Sequence, residues 1–413
     1  MCSMHSSQNV FGPLAQSVEQ RTFNPWVVGS IPTGPTKIDL MVKLIMNVAE
    51  YLNLELISKE MYKSLYSNFN NKNVIITGGA SFIGSHLAEL VVSLNSNVTI
   101  IDDFSSGKYQ NLETIKDKLN VIEGNLLDPR FASQHIINAD YVFHLAAVHG
   151  GRGFIETYGR EMLGNLTIDN NVFSAALNNS CEMVVHASSA CAYPVNLQEE
   201  GNINNFLQEE QASMKNQKLK GEGAYADGVY GWTKLIGEYQ LENFVSEGIL
   251  KGRSARIFTA YGERENESHA AIALIAKALL GADPFPIWGN GQQTRNFTYV
   301  ADTVLGLLLI AADKREILFD VFNLGTNKHI KTIDFVNEIF KQINWTPKEI
   351  KFELDRPTGV AKRASDNSKI LDIFGWAPGI DIEIGLNRTI NWYKDLKERP
   401  KTIKDLEGKL NAR

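Results

Sequence analysis

Residues 74–91 read VIITGGASFIGSHLAELV, a short apolar run followed by a glycine-rich turn and a second apolar run with helical spacing. The first run is typical of a buried strand and the second of a helix packed against it. Gly78 and Gly84 hold the outer positions of a glycine pattern whose middle position is Ser81. Glycines here permit a tight turn whose backbone NH groups, with the helix N-terminus, face a bound pyrophosphate. The stretch therefore predicts a dinucleotide site.

The same alternation of β-rich runs and helical segments continues along the chain, in NVTIID, NVIEGN, DYVFHLA, MVVHAS and SARIF. This order predicts an α/β fold, namely a doubly wound parallel sheet of the Rossmann type covered by helices on both faces. We assign residues 72–258 to this domain. Residues 259–395 are expected to form a smaller C-terminal α/β substrate-binding lobe, interleaved with the first domain, and residues 396–413 a charged tail.

Further residues of the first domain indicate which dinucleotide binds. Asp102 ends the second strand, where a carboxylate binds the adenosine ribose diol and repels a 2'-phosphate, which favours NAD over NADP. Asn125 and Leu126 follow the third strand and are expected to flank adenine, while the small Ala146 and Ala147 after the fourth let the cofactor approach. The predicted NAD contacts from these segments are Gly78, Ser81, Phe82, Ile83, Gly84, Asp102, Asn125, Leu126, Leu145, Ala146 and Ala147.

The stretch ASSACAYP, residues 187–194, follows the fifth strand and places Ser189 at the sheet edge where nicotinamide should lie. Further on, Tyr230 and Lys234 are one helical turn apart. A lysine there lowers the pKa of the tyrosine from about 10 toward neutrality, so that the phenolate deprotonates a sugar hydroxyl held by Ser189. These three residues are the predicted catalytic set, and Tyr230 and Lys234 are also predicted to contact NAD. Tyr393 and Lys397 repeat the spacing, but we interpret that segment as a solvated helix.

Composition excludes several classes of function. The 413-residue chain has 41 basic and 47 acidic side chains, a net charge of -6, and no clustered basic stripe. Neither nucleic acid nor a membrane is therefore an expected partner, and no apolar run is long enough to span a bilayer. Three cysteines cannot form a disulfide framework, which favours a reducing cytoplasm. No metal site is expected.

The first residues do not fit this pattern. Residues 11–37 have no steady hydrophobic period and no signal-peptide pattern. Because the run GSIP within them can be encoded by the T-arm of a transfer RNA gene, we hypothesise that residues 1–40 are a non-native leader, with a disordered leader as the alternative. An amphipathic helix is expected over residues 41–71.

From about 72 to 395, the chain resembles an extended short-chain dehydrogenase/reductase of the nucleotide-sugar epimerase group, through TGGASFIG, HLAA, SSA, YGWTK and TRNFTYVAD. Enzymes of this group oxidise a sugar carbon, alter the keto-sugar and return the hydride, so that NAD emerges unchanged. Dehydratases carry an Asp-Glu pair after the catalytic Ser or Thr, whereas Ala190 and Cys191 follow Ser189 here. The segments HGGRGFI (149–155), TRNFTYV (294–300) and GVAKRASDN (359–367) are similar to the GDP-mannose 3,5-epimerase family.

The resemblance gives Cys191 an acid/base role. Oxidation at C4 acidifies the hydrogens at C3 and C5, and inversion needs one group to remove a proton and another to deliver one to the opposite face. The family's second group is a lysine, at whose aligned position this chain has His269. Histidine is an alternative acid/base group, but the change is also consistent with a different substrate or with inversion at one carbon only.

The resemblance also implies a substrate site and an assembly. Arg295 and Arg356 correspond to diphosphate-binding arginines, which suit paired phosphate oxygens. Asn165 corresponds to a position near the nicotinamide, and the helices expected over 162–179 and 230–247 pair in a homodimer. The span between Tyr193 and Tyr225 is expected to be an active-site loop or lid. The predicted contacts of the nucleotide-diphospho-sugar are Gly151, Arg152, Ser189, Thr259, Arg295, Arg356 and Arg363, with Lys362 a weaker candidate.

Three functions stay open from the sequence. The first is an NAD-dependent nucleotide-sugar epimerase that acts at C3 or C5 through a C4 ketone. The second is a UDP-sugar 4-epimerase, in which Ser189, Tyr230 and Lys234 suffice and Cys191 only packs. The third is a non-catalytic NAD-binding regulatory protein on the same fold, against which the complete Ser/Tyr/Lys set argues.

Overall fold

The computed structural model describes residues 57–201, 206–214 and 225–410. Contacts between Cα atoms divide the chain into residues 1–44 and 45–413, and every described residue belongs to the second unit. The hypothesis about residues 1–40 therefore lies outside the described residues, as does the first part of the helix expected over 41–71. The described part of that helix is α1, Lys59–Phe69, which begins after Ser58, whose hydroxyl accepts from the Met61 NH at 3.1 Å.

The central sheet has seven parallel strands, which confirms the predicted fold class. The strands are β1 Asn73–Thr77, β2 Asn97–Asp102, β3 Leu119–Glu123, β4 Tyr141–His144, β5 Met183–Ser189, β6 Lys251–Ile257 and β11 Phe319–Leu324. Their spatial order is β11-β6-β5-β4-β1-β2-β3. The chain order reverses between β1 and β4, and in such sheets this is where a dinucleotide binds, beyond the carboxyl ends of the strands.

Helices cover both faces of this sheet because successive strand residues point to opposite sides. Val74 and Ile76 of β1 join the apolar core on one face, whereas Ile75 joins a separate core on the other. Helices α2 Phe82–Ser93 and α9 Val300–Ala311 supply the first core. Helices α3 Pro129–His135, α6 Gly164–Asn178 and α7 Gly228–Phe244 supply the second. The short helices α4 Arg152–Thr157 and α5 Gly159–Met162 precede α6.

The C-terminal part of the chain builds small strand pairs and helices beside the carboxyl end of the sheet. The paired strands are β7 Ala260–Tyr261 with β10 Thr298–Tyr299, β8 Phe285–Trp288 with β13 Ile350–Glu353, and β9 Thr294–Arg295 with β12 Ile330–Lys331. The helices are α8 Ala270–Leu279, α10 Thr332–Ile343, α11 Ser368–Phe374, α12 Ile382–Asp395 and α13 Ile403–Lys409. Strand β11 returns from this part to the central sheet, beside β6.

Two expectations for the C-terminus differ from the structure. The segment expected as a charged tail contains α13, whose Leu406 is buried in the main core. The helix expected to be solvated ends at Asp395, and its Tyr393 is 1% exposed and donates to a Glu267 carboxylate oxygen at 3.2 Å. Burial of one apolar face of each helix explains both differences. Among the described helices, none is both long and apolar enough to cross a bilayer.

Candidate active site

A cavity of about 840 Å³ lies at the carboxyl end of the sheet and extends to the C-terminal elements. It brings together most of the residues predicted from the sequence for cofactor, catalysis and substrate. They are Gly78, Ser81, Phe82, Ile83, Gly84, Asp102, Asn125, Leu126, Leu145, Ala146, Ala147, Gly151, Arg152, Ser189, Cys191, Tyr230, Lys234, Thr259, His269, Arg295 and Arg363.

The glycine-rich turn is formed by close backbone approaches. Gly78 has a positive φ of 69°, and a Cβ there would lie 2.8 Å from the Ala146 backbone nitrogen. A Cβ on Gly84 would lie 2.3 Å from the Gly78 carbonyl oxygen. Ser81 has an ordinary φ of -87°, which explains why this position accepts a side chain in place of glycine. The turn keeps the cradle that a pyrophosphate needs.

Asp102 ends β2 at the cavity, as predicted. Its two carboxylate oxygens accept from the backbone NH groups of Ala80 and Phe104, each at 2.9 Å. A carboxylate at the end of this strand is the group that binds the ribose hydroxyls in dinucleotide sites. The carboxylate and the glycine cradle together fit the adenosine and pyrophosphate of NAD.

Asn165 does not line the cavity, in contrast to the NAD contact predicted for it. Its amide is fully buried and bonds both backbone groups of Val148, accepting from the NH at 2.6 Å and donating to the carbonyl at 3.1 Å. Asn165 therefore fixes the loop that follows β4. The family resemblance placed this residue near the nicotinamide but did not show which way its side chain points.

Ser189, Tyr230 and Lys234 meet as the sequence predicted. Ser189 ends β5, and its hydroxyl accepts from the Cys191 NH at 3.1 Å. Tyr230 and Lys234 lie on α7 with 7% and 2% exposure, and the ammonium lies 5.9 Å from the centre of the Tyr230 ring. Polar groups at this density in a buried site are typical of catalytic constellations.

The predicted direction of the tyrosine pKa is not what these surroundings give. Burial raises the pKa of Tyr230 above its ordinary value, Cys191 and Asp169 act in the same direction, and a hydrogen bond from Ser189 opposes them. Burial also lowers the pKa of Lys234, against the attraction of Asp169 and Glu238. The prediction neglected desolvation, which is the largest of these effects on the pKa of Tyr230.

Cys191 lies in a short turn directly after β5 and is 8% exposed. The Arg363 guanidinium donates to its Sγ at 3.3 Å and to Asp227 at 2.8 Å. Burial opposes the charge on this guanidinium, but Cys191 and Asp227 keep the pKa of Arg363 above its ordinary value. A cation donating to sulfur stabilises the thiolate, the reactive form of cysteine. A Cβ on Gly231 would lie 2.1 Å from the Cys191 carbonyl oxygen, so glycine lets the catalytic helix approach this turn.

Arginines give the substrate end of the cavity a positive charge. Arg152 donates to both carboxylate oxygens of Asp227 at 3.1 Å, and Arg363 shares that carboxylate. Burial works in the opposite direction, but Arg363 and Arg152 hold the pKa of Asp227 below its ordinary value. Arg295 bonds two backbone carbonyls, of Thr294 and Thr358, and burial together with Arg363 and Arg152 lowers its pKa to about 9. Three guanidiniums against the two carboxylates of Asp227 and Glu156 leave an excess of positive charge, which favours an anionic ligand.

Two predicted substrate residues contribute differently. Thr259 lines the cavity, and its carbonyl accepts from the Thr298 NH at 2.8 Å. Arg356 does not line the cavity. It borders a separate groove with Arg152 and Thr358, is half-exposed, and lies with its guanidinium 5.6 Å from the centre of the Trp288 ring.

The loop or lid expected between Tyr193 and Tyr225 is only partly described. Tyr193 is fully buried and donates to Asn323 at 2.7 Å. The Leu207 NH bonds the Ala364 carbonyl at 3.0 Å, which ties the segment to the strand-like run containing Arg363. No described residue between Tyr193 and Tyr225 lines the cavity. Residues 202–205 and 215–224 lie outside the described residues.

Three polar residues at the site were missed by the sequence analysis. Asp227 precedes α7 and joins Arg152 to Arg363, His149 has its ring centre 4.9 Å from that of Tyr230, and Glu265 bonds His269. His149 stands in the quoted HGGRGFI motif, which was a usable signal. Asp227 depends on contacts between segments far apart in the chain. Glu265 lies only four residues before His269, but no motif marked it.

The parallel sheet, the glycine cradle and the Ser/Tyr/Lys set define a nicotinamide-dinucleotide enzyme of the dehydrogenase/reductase type. The sequence model of the NAD dependent epimerase/dehydratase family matches residues 74–325. The chain belongs to this family, and its cofactor is NAD. The family acts on nucleotide sugars, as epimerase, dehydratase or decarboxylase.

Individual relatives show the range of these reactions. GDP-mannose 3,5-epimerase 1 of Oryza sativa subsp. indica is 29% identical over 350 residues, which cover 83% of this chain and 87% of that protein. UDP-N-acetyl-alpha-D-glucosaminuronate decarboxylase of Bacillus cytotoxicus is 29% identical and covers 79% of this chain and 99% of its own length. The solved UDP-N-acetylglucosamine 4-epimerase of Methanobrevibacter ruminantium M1 has a TM-score of 0.66 and 27% identity, with 79% and 99% coverage.

Proposed function

We propose that this enzyme is a nucleotide-diphospho-sugar epimerase that inverts C3, C5 or both through a transient C4 ketone, with GDP-mannose as the first candidate substrate. The observation that carries the proposal is Cys191, a thiol in the cavity two residues after Ser189, held by Arg363 at 3.3 Å. Hydride transfer alone has no use for a thiol. The 29% identity to a GDP-mannose 3,5-epimerase supports the same assignment.

The residues divide the chemistry between them. NAD supplies the hydride acceptor. Ser189 and Tyr230 hold the C4 hydroxyl. Tyr230 in its phenolate form, which the buried ammonium of Lys234 stabilises, takes the hydroxyl proton and becomes the neutral phenol. The ketone then acidifies the adjacent carbons, where Cys191 and His269 exchange protons. Arg152, Arg295 and Arg363 bind the diphosphate.

A UDP-sugar 4-epimerase is the second candidate. It is supported by the 27% identity to a solved 4-epimerase and by the apolar neighbours of Cys191, which packs in one cluster with Phe154 and Met162. In that enzyme Ser189, Tyr230 and Lys234 perform the whole reaction, and the thiol only fills space. A non-catalytic NAD-binding protein fits less well, because it does not need a buried phenol beside its cofactor.

Incubation in deuterium oxide with GDP-mannose, and then with a panel of UDP- and GDP-sugars, tests the proposal. NMR and mass spectrometry report carbon-bound deuterium and product stereochemistry. Deuterium at C3 or C5 is the expected result, and inversion at C4 without deuterium would establish the 4-epimerase instead. Tyr230→Phe is the matched control: it should bind NAD and abolish both outcomes. Absence of NADH formation and of turnover with every sugar would favour the non-catalytic protein.

We also propose a homodimer formed by the outer faces of α6 and α7. Val229, Trp232 and Tyr239 lie along one face of α7 and are 37%, 38% and 40% exposed, and Leu163, which precedes α6, is 52% exposed. Such a row of exposed apolar side chains is typical of a protein interface. For the cellular location we propose a reducing compartment, the cytoplasm, because the mechanism requires Cys191 as a free thiol.

A further inference from the structure

The turn that leads into α8 holds a buried carboxylate against His269. Glu265 is 6% exposed, and its Oε1 lies 3.0 Å from Nδ1 of His269, the residue immediately before α8. The other ring nitrogen, Nε2, is buried and has no hydrogen-bond partner among the described residues. His269 is one of the residues that line the cavity, and it has one ring nitrogen fixed by the protein and the other without a partner among the described residues.

A carboxylate at Nδ1 determines what the ring can do. It accepts the Nδ1 proton, which selects the neutral tautomer whose lone pair is on Nε2. The negative charge also stabilises the imidazolium once Nε2 has taken a proton. Both effects prepare Nε2 for proton transfer, whereas a histidine without this partner distributes its proton between the two nitrogens.

The opposite wall of the cavity keeps the ring in place. The ring centre of His149 lies 5.0 Å from that of His269 and 4.9 Å from that of Tyr230. The loop carrying His149 can come this close because a Cβ on Gly151 would lie 1.8 Å from the Ser268 carbonyl oxygen. His149 thus links the ring that exchanges protons with the phenol that starts the oxidation.

We propose that Glu265 is a positioning residue that fixes the ring of His269 and selects its tautomer, so that Glu265 and His269 together replace the lysine of the GDP-mannose 3,5-epimerases. This inference rests on the proposed C3/C5 epimerisation and adds to it the residue that makes histidine a working partner of Cys191. No sequence motif marks the pair; only the short loop between the two residues brings carboxylate and ring together.

The proton transfer balances between the two groups. The Cys191 thiolate removes hydrogen from the carbon beside the C4 ketone, which breaks C–H, forms S–H and leaves an enolate. The enolate carbon then takes the proton from Nε2 of the imidazolium, which returns a neutral ring. Exchange of the thiol and ring protons with solvent restores the starting state. Deuterium from solvent therefore reports every completed inversion.

Several charged or titratable groups lie in the same cavity as His269, so a pH profile of the exchange reaction reports more than one of them. Burial raises the pKa of Glu265 above its ordinary value, and the hydrogen bond from His269 opposes that effect. The imidazole of His149 faces the ring directly. The other ionisable residues lining the same cavity nearby are Arg152, Cys191, Tyr230, Lys234, Arg264, Glu267, Lys277, Arg295 and Arg363. A pH effect is therefore assigned to Glu265 only by comparing variants.

Glu265→Gln in the full-length protein tests the proposal, because glutamine keeps the shape of the side chain and removes its charge. We expect deuterium incorporation to fall by roughly 10- to 100-fold, as when a residue that orients a histidine is lost. NADH formed transiently on adding substrate should change by less than about twofold, because oxidation at C4 does not use His269. The basic limb of the pH–rate profile, which reports the group that must carry a proton, should move to lower pH, because the ring has lost the neighbouring carboxylate charge.

Two comparisons separate positioning from a general loss of structure. Glu263→Gln is the control, because Glu263 lies in the same turn but does not line the cavity. Its carboxylate accepts a hydrogen bond from the Tyr299 hydroxyl at 2.8 Å. Deuterium exchange in this variant, and the pH profile of that exchange, should stay as in the wild type. In a His269→Ala background, Glu265→Gln should cause no further loss of exchange. If the losses of deuterium exchange in the two single variants add up in the double variant, the inference is overturned. It is also overturned if the wild type exchanges deuterium and Glu265→Gln exchanges it at the same rate with the same pH profile. If the wild type itself forms NADH but incorporates no deuterium, the proposed C3/C5 chemistry fails first.

Discussion

At the scale of single residues, Cys191 is where the two candidate reactions differ. Cys191→Ser keeps the size of the side chain but replaces the thiol by a much weaker acid, while Arg363 keeps its bond to Asp227. We expect transient NADH formation to persist and deuterium incorporation to fall by at least about 100-fold. Rapid mixing with substrate and NMR of the product measure the two steps separately. Equal losses in both steps would indicate damaged packing around residue 191.

Lys277 gives a prediction about pH and stability. It is 6% exposed, and burial lowers its pKa from 10.5 to about 8. The folded state therefore disfavours the charged lysine, at a cost that is complete below about pH 8 and disappears as the pH rises toward 10.5. Lys277→Met should raise the free energy of unfolding by about 1–3 kcal/mol at neutral pH, after loss of the bond to the Pro286 carbonyl.

Denaturant unfolding of both proteins between pH 7 and 10 checks this prediction. The advantage of the methionine variant should shrink as the pH rises above about 8, because the buried lysine of the wild type then loses its proton in the folded state. Lys401→Met, at an exposed position, is the control and should change stability by less than about 0.5 kcal/mol. A difference between Lys277→Met and the wild type that stays constant with pH would contradict the assignment.

The catalytic residues could be predicted because each belongs to a local motif. Ser189, Tyr230 and Lys234 follow from a strand end and a helical spacing, and the structure places them together. Asp227 could not be predicted, because its partners Arg152 and Arg363 are 75 and 136 residues away in the chain. The predicted direction of the Tyr230 pKa shift was wrong for a related reason. The spacing of residues in the sequence shows which charged groups lie near the tyrosine, but it does not show how far burial removes water from the phenol.

At the scale of elements, the junction between β1 and α2 depends on glycine at residue 84. A Cβ there would lie 2.3 Å from the Gly78 oxygen and 2.7 Å from the Gly79 Cα, and neither backbone atom can rotate away. Gly84→Ala should therefore push the helix off the turn, weaken NAD binding by at least about 10-fold, and lower the free energy of unfolding by about 1–3 kcal/mol. Calorimetric titration with NAD and denaturant unfolding measure these effects.

Gly408→Ala is the matched control, because nothing lies within 4 Å of a Cβ at that exposed helical position. It should stabilise the protein by up to about 1 kcal/mol through helix propensity and leave NAD affinity unchanged. If Gly84→Ala bound NAD as tightly as the wild type, the cradle would not depend on this contact.

Apolar runs made the strands of the first domain predictable from the sequence. The residues at which strands and helices end depend on tertiary contacts, which the sequence does not show. The six predicted strands all occur as β1 to β6. The first described helix begins at Lys59 because Ser58 caps it, and Phe69 at its end packs 4.9 Å from the ring of Tyr141. The C-terminal α13 was missed since its charged sequence shows few apolar positions, although Leu406 is enough to bury one side.

At the scale of the whole molecule, the sheet is completed by a strand from the second half of the chain. Strand β11 pairs in parallel with β6, with Phe322 opposite Ala255. Sequence periodicity indicated two interleaved parts but did not identify this strand, because pairing across so many residues is decided by the folded chain. The family model matches residues 74–325 and so includes β11.

The dimer proposal gives the last prediction, at the scale of the assembly. In a two-fold interface each residue occurs twice, so Tyr239→Glu would introduce two charges into a desolvated surface. We expect the variant to keep its fold and Tm within a few degrees while its dimer dissociation constant rises at least about 100-fold. Light scattering coupled to size-exclusion chromatography measures the mass. Ile249→Glu is the control, because Ile249 is 60% exposed in the turn before β6 and should leave a dimer. A monomeric wild type, or a Tyr239→Glu variant that remains dimeric, would show that this face of α7 serves another purpose.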